Sequence, residues 1–459
     1  MYPMMIYSAL LVAIAGTLVT GCASTPEAPA LPEPRPLGAD HVTVGQRMTA
    51  SPAEDSPQQK RLVGTLSLTD ALAETLLMNP ELAAFSYAVR VEEAHVLQVS
   101  RYANPKFEVE LEEYDRDGAG MDSSEMVLSI GQTFDLGGTR RWRTRLAAVQ
   151  GELAGWDYES KRLDVFTSTV QRFVALIAAN RRLELATATV EVWEKTGQAV
   201  AARVKAGKEP QLQATKAQAQ LELARLARLE AQRDVGTSQR RLAAMWGSEH
   251  PQFDGVERDI DTILEVIPSL ETMRSHLDAN PDLARWDAER RMHEGQLSVA
   301  KAERIPDLEV RLGLQRYEED GTDALALGVG LPLPLFNRNQ SDVAAAWLGL
   351  AKAAAERRAT EIALATALSE AHGALTSARD RVLALRSKVV PAMEDATATA
   401  QEGYRLGKFG FLDMLDSQRG LFEAKGALVD ALEDYHGAVS AVQRLTGTPI
   451  EEFGEVGSE

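Results

Sequence analysis

The stretch Lys106-Phe-Glu-Val-Glu-Leu-Glu-Glu-Tyr114 alternates between apolar and acidic residues up to its last three positions. Successive side chains of a β-strand point to opposite faces, so the stretch predicts a strand with one apolar face and one glutamate face. A loop rich in Gly and Asp follows at 115–124, and residues 126–134 predict the returning strand. Residues 105–135 therefore predict a β-hairpin whose strands are long enough to cross a bilayer obliquely.

The same arrangement occurs a second time further along the chain. The matching pairs are Asn79-Pro80 with Asn280-Pro281, Pro105 with Pro306, and Gly207-Lys208 with Gly407-Lys408. The first two offsets are 201 residues and the third is 200. A constant offset over this distance indicates a duplicated unit. We therefore expect two repeats of one supersecondary structure, at 66–266 and 267–459, with the second hairpin at 306–333.

Long helices are predicted after each hairpin, at 138–206 and 338–406. A helix of that length measures about 100 Å at roughly 1.5 Å per residue, more than a single globular core requires. Apolar residues recur at spacings of three and four, which predicts packing on neighbouring helices as in a coiled coil. Gly207 and Gly407 predict left-handed turns, after which helices return at 209–247 and 410–446. Pro391 predicts a kink in the second long helix.

The composition excludes several classes of function. The net charge is −18, which disfavours nucleic acid as a partner because a binder needs basic surfaces to displace counterions from phosphates. The sequence contains no HExxH, CxxC, GxSxG or Walker motif, and its seven histidines are dispersed. We therefore expect no catalytic residue, no cofactor and no metal site, and an enzyme is the weakest hypothesis.

The N-terminal region predicts export. Residues 1–21 read as a signal peptide, and Leu18-Val-Thr-Gly-Cys22 resembles a bacterial lipobox, in which the leader is cleaved before a lipidated cysteine. The alternative is an ordinary signal peptide with an incidental cysteine. The proline-rich region that follows predicts an extended linker over 22–65, between a lipid anchor on Cys22 and the fold.

The predicted strands require an assembly. An amphipathic strand is stable in lipid only when its backbone edges are paired, because an unpaired amide costs several kcal/mol in hydrocarbon. One chain supplies four strands, whereas the smallest transmembrane barrels have about eight. Several copies must therefore share one barrel, and these considerations alone do not decide between two copies and three.

The duplicated plan resembles the TolC-like outer-membrane efflux proteins over roughly 66–450. Two strand-to-helix junctions, Gln132-Thr-Phe-Asp-Leu-Gly-Gly-Thr-Arg140 and Leu331-Pro-Leu-Pro-Leu-Phe-Asn-Arg-Asn-Gln340, are similar to those of the CzcC-like branch, which serves heavy-metal efflux pumps. Thr139 departs from that branch, which usually has Lys there. The resemblance implies a mostly α-helical chain with transmembrane β-strands. It implies a homotrimer whose twelve-stranded outer-membrane barrel continues into a periplasmic α-helical coiled-coil barrel.

The resemblance also implies partners and sites. The partners are a periplasmic adaptor (membrane fusion protein), a proton-driven inner-membrane RND pump and outer-membrane lipid. The helix-hairpin tips expected to contact the adaptor are Gly207, Lys208, Gly407 and Lys408. Tyr404, Asp413 and Asp416 match a segment that closes the periplasmic aperture, although Phe409 stands where some relatives have a locking arginine.

Two site assignments have structural alternatives. Asp413 and Asp416 lie three residues apart on one helix face, and the alternative is that they serve only to favour the positive end of a helix dipole. Gln213 and Lys216 stand at the equivalent places of the first repeat, so the closing contacts are expected mainly from the second.

The polar strand faces also have two interpretations. If the apolar strand faces meet lipid, the polar faces give an acidic barrel lumen, lined by Glu108, Glu110, Glu112, Glu309 and Arg311. The alternative is a merely solvated face.

The leading hypothesis is a passive, lipid-anchored exit duct in the cell outer membrane, carrying heavy-metal cations. Metal passage would not need tight ligands, since binding must be weak enough to release the ion. A duct of the same type for drugs or organic solvents is the alternative within this class. A lipid-tethered periplasmic coiled-coil scaffold is the alternative from another class.

Overall fold

The computed structural model describes residues 31–49, 64–112, 125–257, 259–317 and 321–457. Its α-helices, in chain order, are α1 (Val44–Thr49), α2 (Leu68–Met78), α3 (Pro80–Val99), α4 (Thr139–Lys205), α5 (Gln211–Ala243), α6 (Leu270–Arg274), α7 (Pro281–Ala284), α8 (Trp286–Ala302), α9 (Gln340–Ala384), α10 (Val390–Arg405) and α11 (Phe411–Thr446). Its strands are β1 (Thr65–Leu66), β2 (Lys106–Glu112), β3 (Glu125–Phe134), β4 (Gly255–Val256), β5 (Leu308–Tyr317) and β6 (Thr322–Gly330). The predicted signal peptide, Cys22 and the hairpin loop 115–124 lie outside the described residues.

The chain divides into two compact units. The described part of the first comprises Ala88–Gly155 and Trp286–Glu356, and it contains the strands of both predicted hairpins. The second comprises Pro32–Tyr87, Trp156–Arg285 and Arg357–Glu459, and it contains the tips of both helical hairpins. Corresponding parts of the two repeats are therefore brought into the same unit.

The strands of the first unit form one antiparallel sheet in the order β2-β3-β5-β6. Directly paired residues share a face, so the register separates the side chains into two sets. One row across the sheet is Val109, Leu128, Leu314 and Leu325, and the next is Glu108, Ser129, Gly313 and Ala326. The sheet thus has an apolar face and a face of acidic and small residues, as the alternation in the sequence predicts.

The duplication is visible in a repeated hydrogen bond of the second unit. Asn79 donates from Nδ2 to the carbonyl oxygen of Met245 at 2.7 Å, and Asn280 donates likewise to Leu445 at 2.8 Å. Both asparagines are buried, and the side-chain oxygen of each accepts from a backbone N–H at the start of the following helix. Each Asn-Pro pair therefore joins the start of a helix to the end of the return helix in its own repeat.

The extended linker predicted over 22–65 is wrong for its described middle part. Leu37 and Val44 belong to the buried core, and Leu37 donates from its backbone N–H to the carbonyl oxygen of Gly447 at 3.0 Å. The buried Arg162 donates from Nη1 to the carbonyl oxygen of Leu37 at 2.7 Å and pairs with the buried Glu159. The sequence does not indicate this packing for two reasons. The few apolar anchors stand within a proline-rich stretch, and a backbone carbonyl that binds a buried arginine can belong to any type of residue.

The long helices carry the chain between the two units. The first, predicted at 138–206, is continuous as α4 over 67 residues. The second is interrupted by a π-helical turn, Leu385–Val389, directly before the helix that contains Pro391. A wider turn at this place accommodates a residue that has no N–H to donate to the preceding turn. None of the helices in the described ranges is both long enough and apolar enough to cross a membrane.

Candidate functional site

The two helical hairpins turn in the same way. At the first tip, Gly207 has φ +70°, and Lys208 donates from its N–H to the carbonyl oxygen of Arg203 at 2.9 Å. At the second tip, Gly407 has φ +71°, and Lys408 donates to Gly403 at 2.8 Å. This pattern is the Schellman motif, which needs a left-handed residue that glycine supplies without strain. Both Gly-Lys pairs are exposed, so the tips are accessible to a partner.

Tyr404, from the second repeat, lies against residues of the first. Arg203 donates from Nη1 to the carbonyl oxygen of Tyr404 at 3.1 Å, and its guanidinium carbon lies 4.6 Å from the centre of the Tyr404 ring. Nε of Arg203 lies 3.5 Å from Oε1 of Glu209. Burial, together with the adjacent Glu209 carboxylate, raises the pKa of the Tyr404 hydroxyl. Arg203 of the first tip therefore contacts both the backbone and the ring of Tyr404 and lies next to Glu209.

The first repeat thus supplies contacts to Tyr404 at positions that the sequence did not single out. Gln213 and Lys216 mark the equivalent helix positions, but Arg203 and Glu209 supply the contacts, and the sequence pattern pointed to neither. The available signal was weak. Arg203 lies in the last turn of a predicted helix, where a basic residue is ordinarily explained by the helix dipole. Finding its role requires knowing that the two tips pack together.

An apolar cluster fixes the two tips on each other. It contains Val190, Trp193, Val200, Ala217, Leu221 and Ala224 from the first hairpin and Tyr404, Phe411, Met414 and Leu415 from the second. The Tyr404 and Phe411 rings meet edge to face, with centroids 6.2 Å apart. Edge-to-face packing of aromatic rings adds to the stabilisation from burial.

The predicted aperture residues do not form one cluster within the chain. Tyr404 is buried, whereas Asp413 and Asp416 are exposed. Asp413 accepts a 2.9 Å hydrogen bond at Oδ2 from the backbone N–H of Gly410, which caps the start of α11. Asp413 therefore has a structural role at the start of α11, because its carboxylate accepts from an N–H that has no partner within the helix.

Phe409 has a contact of its own. A Cβ built on Gly403 would come within 2.1 Å of the Phe409 ring, so the ring lies directly on the backbone of the last turn of α10. The backbone N–H of Phe409 also donates to the carbonyl oxygen of Gly403 at 3.2 Å. The residue that replaces the locking arginine of some relatives thus packs on its own hairpin.

In the first unit, the sheet brings three of the predicted lumen residues together. Arg311 lies with Nη1 3.5 Å from Oε2 of Glu108 and with Nε 3.8 Å from Oε1 of Glu309. A Cβ on Gly131 would lie 3.1 Å from Cγ of Arg311, so the arginine side chain extends over a glycine of the neighbouring strand. All three charged side chains are more than a third exposed, so each pair is worth at most about 1 kcal/mol.

The remaining acidic positions lie further along the same face. Glu110 pairs with Val127, and Glu112 pairs with Glu125 in the register of β2 and β3. Gln315 donates from Nε2 to Oε2 of Glu125 at 2.6 Å. Glu125 and Gln315 were not among the predicted lumen residues, although the same alternation places them on this face.

We also looked for side chains that could bind a metal ion. Among the described residues, no group of three or more His, Cys, Asp or Glu side chains is arranged to hold a metal ion.

Comparisons with known proteins agree with this architecture. The model of the family described as outer membrane efflux protein matches residues 71–248 and 273–448, one match for each repeat. The chain is 30% identical over 388 residues to the cobalt-zinc-cadmium resistance protein CzcC of Cupriavidus metallidurans, covering 84% of this chain and 91% of the relative. It is 26% identical to the nickel-cobalt-cadmium resistance protein NccC of Alcaligenes xylosoxydans xylosoxydans, covering 68% and 69%.

A solved structure shares the fold. The crystal structures of CusC were described in terms of conformational changes accompanying folding and transmembrane channel formation. CusC superposes with a TM-score of 0.71 over 93% of this chain and 99% of that one. The sequence identity is 14%, so the likeness concerns the fold. The duplicated hairpin and long helix are thus arranged here as in a known transmembrane channel protein.

Proposed function

Because the chain belongs to the outer membrane efflux protein family, we propose that it is the outer-membrane exit duct of a tripartite pump for heavy-metal cations. The observation that carries the cargo assignment is its similarity, over most of its length, to a relative whose name states resistance to cobalt, zinc and cadmium. The second relative, named for nickel, cobalt and cadmium, supports the same class of cargo.

The sheet supports a shared barrel. Within the described chain, β2 pairs only with β3 and β6 only with β5, so the sheet has two edges. In lipid, these edges need partners from other copies. We propose a homotrimer, which would join three four-stranded sheets into one barrel of twelve strands, with the apolar faces toward lipid. The α-helical hairpins would form the periplasmic continuation of the duct.

The acidic face supports passage of cations through this barrel. Glu108, Glu110, Glu112 and Glu309 would line the lumen, with Arg311 compensating part of their charge. Exposed carboxylates attract divalent cations without enclosing them. This suits transport, since an ion that binds weakly is also released. No catalytic residue is required, because the energy would come from the inner-membrane RND pump.

The hairpin tips support a periplasmic partner and an aperture. Gly207, Lys208, Gly407 and Lys408 would contact the adaptor, since all four are exposed. Tyr404 would narrow the aperture together with the exposed Asp413 and Asp416, which three copies would arrange as carboxylate rings. The contact of Tyr404 with Arg203 would take the place of the arginine lock that Phe409 removes. Cys22 would carry the lipid anchor.

A deletion strain tests the proposal. We expect it to become sensitive to cobalt, zinc and cadmium, and complementation with the native chain to restore growth. Copper, silver and common drugs complete the panel. Sensitivity to drugs with unchanged metal tolerance would replace the metal duct by a drug duct. Unchanged tolerance to the whole panel would contradict both.

A further inference from the structure

The segments that join the strands of the first unit to its helices meet at one end of the sheet. Arg140, in the first turn of α4, donates from Nη1 to the carbonyl oxygen of Ser100 at 2.9 Å. Asn339, directly before α9, donates from Nδ2 to the carbonyl oxygen of Ala300 at 2.9 Å. The pairing of β3 with β5 holds these two contacts side by side. We call this end of the sheet the rim and define it by four segments, which are 100–105, 135–145, 303–307 and 331–342.

The rim is rich in arginine, although the whole chain has a net charge of −18. It contains seven arginines and no lysine, and its four acidic residues are Asp135, Glu303, Asp307 and Asp342. Two of these carboxylates are already engaged. Asp135 accepts from backbone N–H groups at the start of α4, and Glu303 pairs with Arg143 at 2.7 Å. Among the residues that the structure describes, the exposed arginines of the rim without a carboxylate partner are Arg101, Arg141, Arg304 and Arg338.

Large apolar side chains are exposed beside these arginines. Tyr102 follows Arg101 and is 71% exposed, and Phe336 stands two residues before Arg338 and is 92% exposed. The guanidinium carbon of Arg140 lies 4.0 Å from the centre of the Tyr102 ring. The ring is thus fixed against a cation while most of its surface faces outward. Exposed apolar surface of this extent marks a place where the molecule meets another surface.

The apolar face of the sheet continues into the rim. Phe134 and Leu308 form the last row that β3 and β5 share on this face. After β6, Leu331, Leu333 and Leu335 continue the two-residue alternation of that strand, and all three are exposed. From the sheet into the rim, an apolar surface is therefore followed by arginines interleaved with aromatic side chains. Hydrocarbon and headgroups of a bilayer follow each other in the same order, with aromatic residues at the boundary.

We propose that the rim binds the headgroups of anionic phospholipids, such as phosphatidylglycerol, in the periplasmic leaflet of the membrane. This inference rests on the proposed function, which places the apolar face of the sheet in lipid and the helices in the periplasm. A guanidinium group can bind two oxygens of a phosphate at once, which suits arginine better than lysine to this task. Clustered cations at the end of a membrane-spanning segment attract anionic lipids in preference to neutral ones.

The charge of the rim favours lipid over a neighbouring copy of the chain as the occupant. A second copy that approached with its own rim would bring the same excess of arginines, and like charges repel. An anionic lipid surface supplies the opposite charge for Arg101, Arg304 and Arg338. Its acyl chains also cover Tyr102 and Phe336, so one occupant accounts for both the charged and the apolar part of the rim.

Native mass spectrometry tests the lipid site. The full chain would be released from detergent that contains equal amounts of phosphatidylglycerol and phosphatidylethanolamine with the same acyl chains. The native chain should retain phosphatidylglycerol in excess. The variant Arg101→Gln/Arg304→Gln/Arg338→Gln should lower this excess by about 5-fold for each arginine removed. The variant Tyr102→Ser/Phe336→Ser should lower the retention of both lipids and leave their ratio unchanged.

The matched control makes the same change of charge outside the rim. Arg90, Arg233 and Arg274 are exposed on other helices, so Arg90→Gln/Arg233→Gln/Arg274→Gln should retain the lipids as the native chain does. An equal loss of preference in this control would overturn the site, because the total charge of the chain would then be the cause. A rim variant that falls apart into single chains while each retains the lipids unchanged would overturn it too, and would mark the rim as a contact between copies.

The native chain separates this site from the proposed function. If it conducts ions in a planar bilayer but retains both lipids equally, the lipid site is overturned and the duct remains. If it neither conducts nor retains lipid of either kind, the site falls together with the proposed function.

Discussion

Arg203 and Tyr404 lie 201 residues apart in the chain, yet Nη1 of Arg203 donates a 3.1 Å hydrogen bond to the carbonyl oxygen of Tyr404. The same guanidinium covers the tyrosine ring, so one side chain of the first repeat fixes both the backbone and the ring of a residue in the second. The tips of the two hairpins are therefore mechanically linked within one chain.

Arg203→Ala is predicted to loosen the aperture. The lost hydrogen bond and the lost cation–π contact are each worth about 1 kcal/mol, so the balance between closed and open tips should shift by roughly 30-fold. Single-channel recording in planar bilayers should show a larger conductance or more frequent opening. The matched control is Arg405→Ala, which removes an exposed arginine whose ion pair with Glu402 lies within α10. A conductance unchanged in both variants would argue against the link.

Arg162→Leu is predicted to destabilise the fold strongly and to release the segment around Leu37. Arg162 and Glu159 are both buried, and removing one member of a buried pair leaves an uncompensated charge, at a cost of about 3–5 kcal/mol. Thermal unfolding should occur at a markedly lower temperature, and limited proteolysis should cut within 35–47. Arg290→Leu breaks an exposed pair with Glu294 and should change stability by about 1 kcal/mol or less. Equal effects of the two substitutions would refute the role of burial.

Stability is predicted to fall on mild acidification because of His436. Burial lowers the pKa of His436 below its ordinary value of 6.5, although Asp259 and Asp261 oppose the shift. The folded state therefore favours the neutral ring, whose Nε2 lies 3.0 Å from the carbonyl oxygen of Ile260. The contribution of His436 to the free energy of unfolding is complete above pH 6.5. It is lost as the pH falls from 6.5 toward the lowered pKa of the folded state, because the unfolded chain takes up the proton first. Between pH 7 and pH 5, the thermal unfolding temperature of the native chain should fall more than that of His436→Gln. Parallel curves of unfolding temperature against pH would exclude this residue as the cause.

Arg311→Gln is predicted to make the duct more cation-selective. The substitution leaves Glu108 and Glu309 without their shared counter-charge on the polar face of the sheet. The reversal potential in a KCl gradient should move toward the value for a perfectly cation-selective pore, whereas Glu108→Gln should move it the other way. Arg316 lies on the apolar face, in register with Met126, so Arg316→Gln serves as the control and should leave selectivity unchanged. A shift with Arg316→Gln alone would reverse the assignment of the two faces.

The strands and long helices could be read from the sequence because their signals are local and repeated. Alternation over Phe107–Leu111 fixes the two faces of β2, and Gly207 and Gly407 mark both turns. The prediction for segment 35–47 is wrong, because a few anchors such as Leu37 decide its packing within a proline-rich stretch. Arg203 escaped prediction for another reason, since its partner Tyr404 becomes a neighbour only after both hairpins have folded against each other.

Release of preloaded metal from living cells tests the central claim most directly. Cells that produce the native chain, and deletion cells, would be loaded with cobalt, zinc or cadmium and transferred to metal-free medium. The account predicts that deletion cells retain the metal and that the native chain restores its loss at the original rate. Equal rates of loss with and without the chain would contradict its role as the exit duct for these cations.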